Sequence, residues 1–283
     1  MIEELSVLVR QNQNIDPLIL RNILKERLQI YILKCVFASS YASKLIFTGG
    51  TCLRHCFYLP RLSEDLGFDS LSYTTFSHAQ LIDLLKDFFK KEFDYSDMIT
   101  SISGSNKILY LKFPIGDQIG LPLITPGSHE GTLHIRIDVA QAPDNMRRTE
   151  LSLKTLGQTS FIIRRYSLSD LFTLKIAAII GRKKLQGNEL ITRFKGRDYF
   201  DYWWYTQQNI KPDIKFLQIV SGLTSESLVA LLSERFNKAL IEKQQILADI
   251  APFIENQSVY QAFVESLPNL PDTANRMLVH PSY

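Results

Sequence analysis

A short apolar segment, KLIFT at residues 44–48, runs directly into Gly49, Gly50 and Thr51. An apolar run of this length predicts a buried strand, and consecutive glycines predict a turn after it. The next segment, TCLRHCFYL, is predicted to be the helix that this turn begins. The order of strand, glycine turn and helix leaves backbone N–H groups at a helix N-terminus, where they can bind an anion.

Carboxylates follow this turn on segments with the alternating pattern of strands. In EDLGFDS, the period of two places Asp65, Gly67 and Asp69 on one face, and in LHIRIDV it places Asp138 opposite a buried row of apolar residues. Carboxylate oxygens hold Mg²⁺ or Mn²⁺ and bridge it to phosphates. We predict Asp65, Asp69 and Asp138 as metal ligands; alternatively, Asp65 caps a turn, Asp69 pairs with Arg61 and Asp138 is an edge-strand charge.

The element pattern predicts an α+β fold with two domains. Residues 1–44 have helical spacing, and the strand segments that follow form a small mixed sheet with flanking helices, which we place in residues 1–150. From YSLSDLF onward the pattern is helical, which predicts a mainly helical C-terminal domain over residues 151–283. A chain of 283 residues with 45% hydrophobic residues is long enough for both.

Several features predict a cytoplasmic protein without a membrane segment. The N-terminus lacks the basic start and apolar core of a signal peptide, and the longest apolar run, LFTLKIAAIIG, is short and contains Lys175. Three cysteines form no disulfide framework. The net charge of +3 is small, so any nucleic-acid surface must be local.

Lys175 lies on the apolar stripe of its predicted helix, with Leu171 one turn before it and Ile179 one turn after it. A partly buried ammonium is costly without an anion. We therefore expect Asp198 or a nucleotide phosphate opposite Lys175; alternatively, the side chain extends along the edge of the stripe to solvent.

The motif of Gly49, Gly50, Thr51 and Asp65 resembles the core of DNA polymerase β-like nucleotidyltransferases: Gly-Gly-Ser/Thr, a helix, then Asp-x-Asp on a strand. Within that superfamily, FTGGTCLRHCFYLPRLSEDLGF is similar to the AbiEii toxins of bacterial type IV toxin–antitoxin and abortive-infection systems. LFTLKIAAIIGRKK and RDYFD also resemble family motifs. The family has a second acid where this chain has Gly67. Three alternatives follow: Asp69 replaces that acid, Asp65 and Asp138 hold a single metal while nucleotide and water bind the second ion, or activity is weakened or lost.

The resemblance implies a Mg²⁺-dependent enzyme that adds NMP from an NTP to the 3′ end of tRNA and blocks translation, with a cognate AbiEi-like antitoxin. A protein or small-molecule acceptor, or a decayed site that only binds nucleotide, are the alternatives. The implied catalytic residues are Asp65, Lys175 and Asp198. The implied nucleotide-binding residues are Gly49, Gly50, Thr51, Ser63, Lys175 and Arg197.

A local concentration of basic residues precedes an aromatic segment in the helical half. Cations of this kind bind RNA phosphates, and aromatic rings stack on bases, although such rings are more often core residues. The predicted RNA-binding residues are Arg182, Lys183, Arg193 and Lys195, and the aromatic ones are Tyr199, Tyr202, Trp203 and Trp204.

Overall fold

The computed structural model describes residues 1–103, 108–122, 131–143, 149–157, 159–186, 189–192 and 194–278, with the backbone alone for 183–186 and 189–192. The chain divides into two compact units, Met1–Tyr166 and Ser167–Tyr283. This division lies beyond the boundary predicted at residue 150, because the strands Thr149–Leu156 and Thr159–Tyr166 belong to the sheet of the first unit.

The described part of the first unit contains five α-helices and seven strands. In chain order they are α1 (Ile2–Gln11), α2 (Pro17–Phe37), β1 (Leu45–Thr48), α3 (Gly49–Phe57), β2 (Asp65–Ser70), α4 (His78–Phe93), β3 (Ile99–Ile102), β4 (Ile108–Phe113), α5 (Gly116–Ile119), β5 (Leu133–Gln141), β6 (Thr149–Leu156) and β7 (Thr159–Tyr166).

The strands of the first unit form one mixed sheet in the order β3-β4-β5-β2-β1-β7-β6. Strand β2 pairs antiparallel with β1 and parallel with β5. This confirms the predicted α+β class and places the two carboxylate-bearing segments side by side. Strands β3, β6 and β7 were not predicted, because β3 is short and β6 and β7 carry exposed apolar residues that obscure the alternation.

Helix α2 covers the buried face of this sheet. It begins where the sequence predicted, with Pro17 in its first turn and the Asp16 carboxylate accepting from the amides of Leu18 and Ile19. Its last residue, Phe37, meets Phe68 of β2 with ring centroids 6.2 Å apart. Because α2 buries the apolar face of β2, the opposite face of that strand is left for polar residues.

The second unit is mainly helical, as predicted. Its described elements are α6 (Leu168–Gly181), β8 (Lys183–Gln186), β9 (Glu189–Thr192), α7 (Gly196–Gln207), α8 (Ile214–Ser221), α9 (Ser225–Ile241), α10 (Lys243–Ile250), α11 (Gln257–Ser266) and α12 (Leu270–Leu278). The antiparallel hairpin of β8 and β9 was not predicted, because four-residue strands leave too short a pattern. No single helix among the described residues is long and apolar enough to cross a membrane.

Gly196 is required for the packing of α7 against α10. A Cβ atom at this position would lie 2.2 Å from the backbone oxygen of Ile246. We expect Gly196→Ala to lower the free energy of unfolding of the second unit by about 3 kcal/mol, since backbone must move to admit the methyl group.

Urea unfolding followed by tryptophan fluorescence measures this effect, because both tryptophans of the chain, Trp203 and Trp204, lie in the second unit. Gly181→Ala is the matched control: a Cβ there meets no atom within 4 Å, so the change should be neutral or slightly stabilising. Equal unfolding midpoints for the two variants would contradict the packing argument.

Candidate functional site

The glycine turn lies at the start of helix α3, which is exposed to solvent there. Gly49 is exposed and has φ of +82°, in the left-handed region that glycine adopts without steric cost. Thr48 precedes the helix but makes no side-chain hydrogen bond to its first turn. Thr48 therefore does not cap the first-turn amides of α3, which also lie at the positive end of the helix dipole. This helix N-terminus is a suitable site for phosphate oxygens.

Thr51 and Ser63 connect α3 to the start of β2. Both are buried, their hydroxyl oxygens lie 2.9 Å apart, and the Thr51 hydroxyl donates to the backbone oxygen of Asp65. The backbone oxygen of Ser63 accepts from Gln29 Nε2 at 2.8 Å. The hydroxyls predicted to contact nucleotide thus hold the turn against the strand, and the backbone of Gly49 and Gly50 is the accessible part of the motif.

Arg61 is a further cation at this turn, and its sequence pattern did not predict it as a site residue. Its side chain is buried, and Nη1 donates to the backbone oxygen of Leu62 at 2.8 Å. A Cβ atom at position 50 would lie 2.4 Å from Nη2 of Arg61, so Gly50 allows the guanidinium to lie directly against the turn. This buried charge adds to the positive potential of the α3 N-terminus.

Strand register brings Asp65 and Asp138 to the same side of the sheet. Gly67 lies opposite Thr48 on one neighbouring strand and opposite Asp138 on the other, and Asp65 lies opposite Arg136. On β5 the alternate residues, including Arg136 and Asp138, are accessible, whereas the residues between them are buried. The face predicted for Asp138 is therefore the observed one.

Arg136 lies between these carboxylates and was not predicted as a site residue. Its Nε and Nη2 donate to Asp138 Oδ1 at 3.1 and 2.8 Å. Burial acts to lower the pKa of Arg136, but the hydrogen bonds and charge of Asp138, with the charge of Asp65, raise it overall. Arg136 therefore stays charged and reduces the mutual repulsion of the two acids.

Asp65 and Asp138 fit a cation whose coordination is completed by substrate and water. Among the described residues, no group of three or more His, Cys, Asp or Glu side chains has metal-binding geometry. Mg²⁺ is commonly held by one or two carboxylates together with phosphate oxygens and water. Gly67 has no side chain that could bind a metal. A Cβ atom at position 67 would lie 3.2 Å from the backbone oxygen of Thr48.

Asp69, predicted as a third ligand, has a different environment. It is buried, lies opposite Ile46 in the sheet, and its Oδ2 accepts from the Tyr166 hydroxyl at 2.8 Å. Burial raises the pKa of Asp69 to about 6, and the Tyr166 hydrogen bond only partly opposes the increase. The structure therefore places the Asp69 carboxylate in a buried contact with Tyr166 of β7.

The raised pKa of Asp69 predicts a pH dependence of stability. Because its folded pKa of about 6 exceeds the ordinary 3.8, the folded state binds more protons between pH 4 and 6, and unfolding becomes easier as pH rises through this interval. We expect wild type to lose roughly 2–3 kcal/mol relative to Asp69→Asn across it.

Urea unfolding followed by circular dichroism at several pH values measures the difference between the two proteins, so that other titrating groups cancel. The difference should be flat above about pH 6. A difference that is constant from pH 4 to 7, or that grows in favour of wild type, would contradict the burial argument.

In the second unit, Lys175 is held by two buried carboxylates. Its Nζ lies 3.0 Å from Asp198 Oδ1 and 2.8 Å from Asp201 Oδ2, and 12% of its side chain is exposed. The predicted anion opposite Lys175 is thus present. Asp201, one turn after Asp198 on α7, is a second partner whose bond the sequence did not indicate.

Arg182 and Lys195 complete this cationic cluster. Arg182 Nη2 lies 2.8 Å from Asp198 Oδ2. Burial of Asp198 acts to raise its pKa, but the charges of Lys175, Arg182 and Lys195 outweigh it and lower the pKa to about 2. Burial lowers the pKa of Lys195 to about 8, and neighbouring cations contribute to the decrease. The three cations exceed the two carboxylates, Asp198 and Asp201, by one charge.

The other predicted residues of this unit are placed differently. Arg197 lies 4.2 Å from the ring centroid of Phe253, and its amide donates to Asp249 Oδ2 at 3.3 Å, so it packs against neighbouring elements. Arg193 and the side chain of Lys183 lie outside the described residues. The aromatic residues are all buried core members and supply no stacking surface for a base: Tyr199, Tyr202, Trp203 and Trp204.

Comparisons with known proteins agree with these features. The model of the AbiEii family, described as nucleotidyl transferase AbiEii toxin of type IV toxin–antitoxin systems, matches residues 31–277. Among solved structures, the chain is similar to MenT4, a nucleotidyltransferase toxin of Mycobacterium tuberculosis H37Rv, with a TM-score of 0.52 and 13% identity over 97% of this chain and 92% of that chain.

JHP933 from Helicobacter pylori is another similar structure, with a TM-score of 0.48 and 14% identity over 91% of this chain and 93% of that chain. No curated protein is significantly similar in sequence. At 13% identity the MenT4 structure supports the fold alone.

Proposed function

Because the chain belongs to the AbiEii family of type IV nucleotidyltransferase toxins, we propose that it transfers NMP from an NTP to the hydroxyl at the 3′ end of tRNA. The acceptor oxygen forms a bond to the α-phosphorus, and the bond from that phosphorus to the bridging oxygen breaks, so that pyrophosphate leaves with the electron pair. The acceptor proton is released to solvent. A tRNA modified at this end cannot be aminoacylated, which would make the enzyme toxic.

The observation that carries this proposal is the arrangement in the first unit. The accessible backbone of Gly49 and Gly50 at the start of α3 offers amides to a triphosphate, with the Arg61 guanidinium against the turn. Asp65 and Asp138 lie on neighbouring strands beside the same turn. A phosphate-binding helix N-terminus next to two accessible carboxylates suits phosphoryl chemistry better than either feature alone.

Asp65 and Asp138 would hold Mg²⁺ or Mn²⁺. When bound there, the cation supplies positive charge to the phosphates of the nucleotide. Arg136, which donates to Asp138, orients that carboxylate and prevents it from rotating away.

The cationic cluster of the second unit would bind phosphates of the RNA acceptor through its excess charge. Asp198 holds Lys175 and Arg182 in place and is a positioning residue. With a pKa of about 2, Asp198 is too weak a base to remove a proton from a hydroxyl near neutral pH.

As a type IV system toxin, the protein would be encoded with an AbiEi-like antitoxin. It would act in the cytoplasm, where tRNA and NTPs are present.

The test incubates purified protein with Mg²⁺, total tRNA and each NTP labelled at the α-phosphate, and resolves the RNA on a denaturing gel. Label at the 3′ end of tRNA in wild type and its loss in Asp65→Ala would support the proposal. Label in protein or in a small molecule would identify another acceptor. Nucleotide binding without label in any acceptor would indicate a site that only binds.

A further inference from the structure

Strand β6 forms an edge of the sheet in the part of the chain that the structure describes. It spans eight residues, Thr149–Leu156, all of which pair with β7 on one side. The opposite edge, β3, spans four residues. A long edge strand presents backbone donors and acceptors to another strand, and natural proteins usually keep such edges short or cover them.

One face of the β6–β7 hairpin is apolar and exposed. Leu151, Leu153 and Ile162 are 64%, 72% and 54% exposed, and Leu153 lies directly opposite Ile162 in the antiparallel pair. Single exposed apolar residues are ordinary, but three that share a face beside a sheet edge form a contiguous patch. The patch and the edge together indicate a surface for strand addition.

The sequence of β6 is complementary to itself. When TELSLKT pairs antiparallel with a second copy around Ser152, every flanking position meets a favourable partner of the kind that stabilises cross-strand pairs. The pairs between copies are Thr149 with Thr155, Glu150 with Lys154, and Leu151 with Leu153. Each occurs twice, because a two-fold axis through Ser152 repeats it.

Existing contacts leave the two charged residues able to form these pairs. Glu150 Oε2 lies 2.5 Å from Arg165 Nη1, yet half of the Glu150 side chain is exposed and a carboxylate accepts several hydrogen bonds. Lys154 Nζ donates to the backbone oxygen of His55 at 3.2 Å and has two further donors. Both charged groups therefore lie along the edge strand, and each can form further hydrogen bonds.

We infer that β6 pairs with β6 of a second copy of this chain, so that two sheets join into one across a two-fold axis. The symmetric interface buries the leucines of both copies and aligns Glu150 of each with Lys154 of the other. This inference is independent of the reaction proposed above, since it uses no residue of the glycine turn or of the carboxylate pair.

Sedimentation equilibrium of the full chain tests the interface. Wild type should be dimeric at micromolar concentration, and Leu153→Lys should weaken the dimer at least tenfold by placing like charges at the centre of the interface. Ile241→Lys is the matched control, because Ile241 is equally apolar and 83% exposed but lies in the second unit. A monomeric wild type, or equal dimerisation of the two variants, would overturn the inference.

A mixing experiment tests the register. Glu150→Lys makes both charged positions of β6 basic, and Lys154→Glu makes both acidic. Each variant alone should therefore dimerise at least tenfold more weakly than wild type. Mixed together, they place a lysine opposite a glutamate at all four positions, and dimers should return. Failure of the mixture to form dimers, although each variant keeps its wild-type circular dichroism spectrum, would contradict the antiparallel register around Ser152.

Discussion

Asp65→Asn is expected to lower the rate of nucleotide transfer by about 10³-fold. A metal held by this carboxylate stabilises transition-state charge by several kcal/mol, and about 4 kcal/mol corresponds to about 10³ in rate. Asp138→Asn should have a similar effect, because Asp138 lies on the same face of the neighbouring strand, diagonally across from Asp65. The measurement is the initial rate of label transfer at saturating Mg²⁺.

Asp69→Asn is the matched control for both variants, since it makes the same chemical change on the same strand as Asp65. Asp69 bonds Tyr166 in a buried contact, so its variant should retain activity within about threefold, a difference below 1 kcal/mol. If Asp69→Asn were as inactive as Asp65→Asn, Asp69 would belong to the metal site. If Asp138→Asn kept full activity, the two-carboxylate site would be wrong.

Lys175→Met is expected to lower the free energy of unfolding of the second unit by about 3–5 kcal/mol. The substitution keeps the apolar length of the side chain but removes the ammonium from two buried carboxylates, and breaking a buried ion pair costs about this much. Asp198 keeps its contact with Arg182 in this variant. Urea unfolding followed by tryptophan fluorescence measures the change.

The double variant Lys175→Met with Asp201→Asn separates stability from function. It removes one buried cation together with one buried anion, so most of the lost stability should return. Label transfer should be low in both the single and the double variant, because both lack the lysine charge that we propose binds phosphate. Recovery of transfer along with stability would show that Lys175 has only a structural role.

The sequence determined the features that depend on local backbone geometry. Consecutive glycines after a buried strand predicted the turn and helix at Gly49, because an apolar run and a chain reversal both leave local patterns. The period of two predicted that Asp138 lies on the accessible face of its strand. The apolar stripe around Lys175 predicted a buried anion, since a buried ammonium requires one.

Only the tertiary structure decided which of these residues meet. Asp69 follows the same alternation as Asp65, yet its carboxylate bonds Tyr166, 97 residues away in the chain. Arg136 lies opposite Asp65 through strand register, which no local pattern encodes. Periodicity fixes the face on which a side chain lies, whereas register and packing between distant segments fix its neighbours. The carboxylate pair, the two carboxylates around Lys175 and the edge position of β6 therefore required the folded chain.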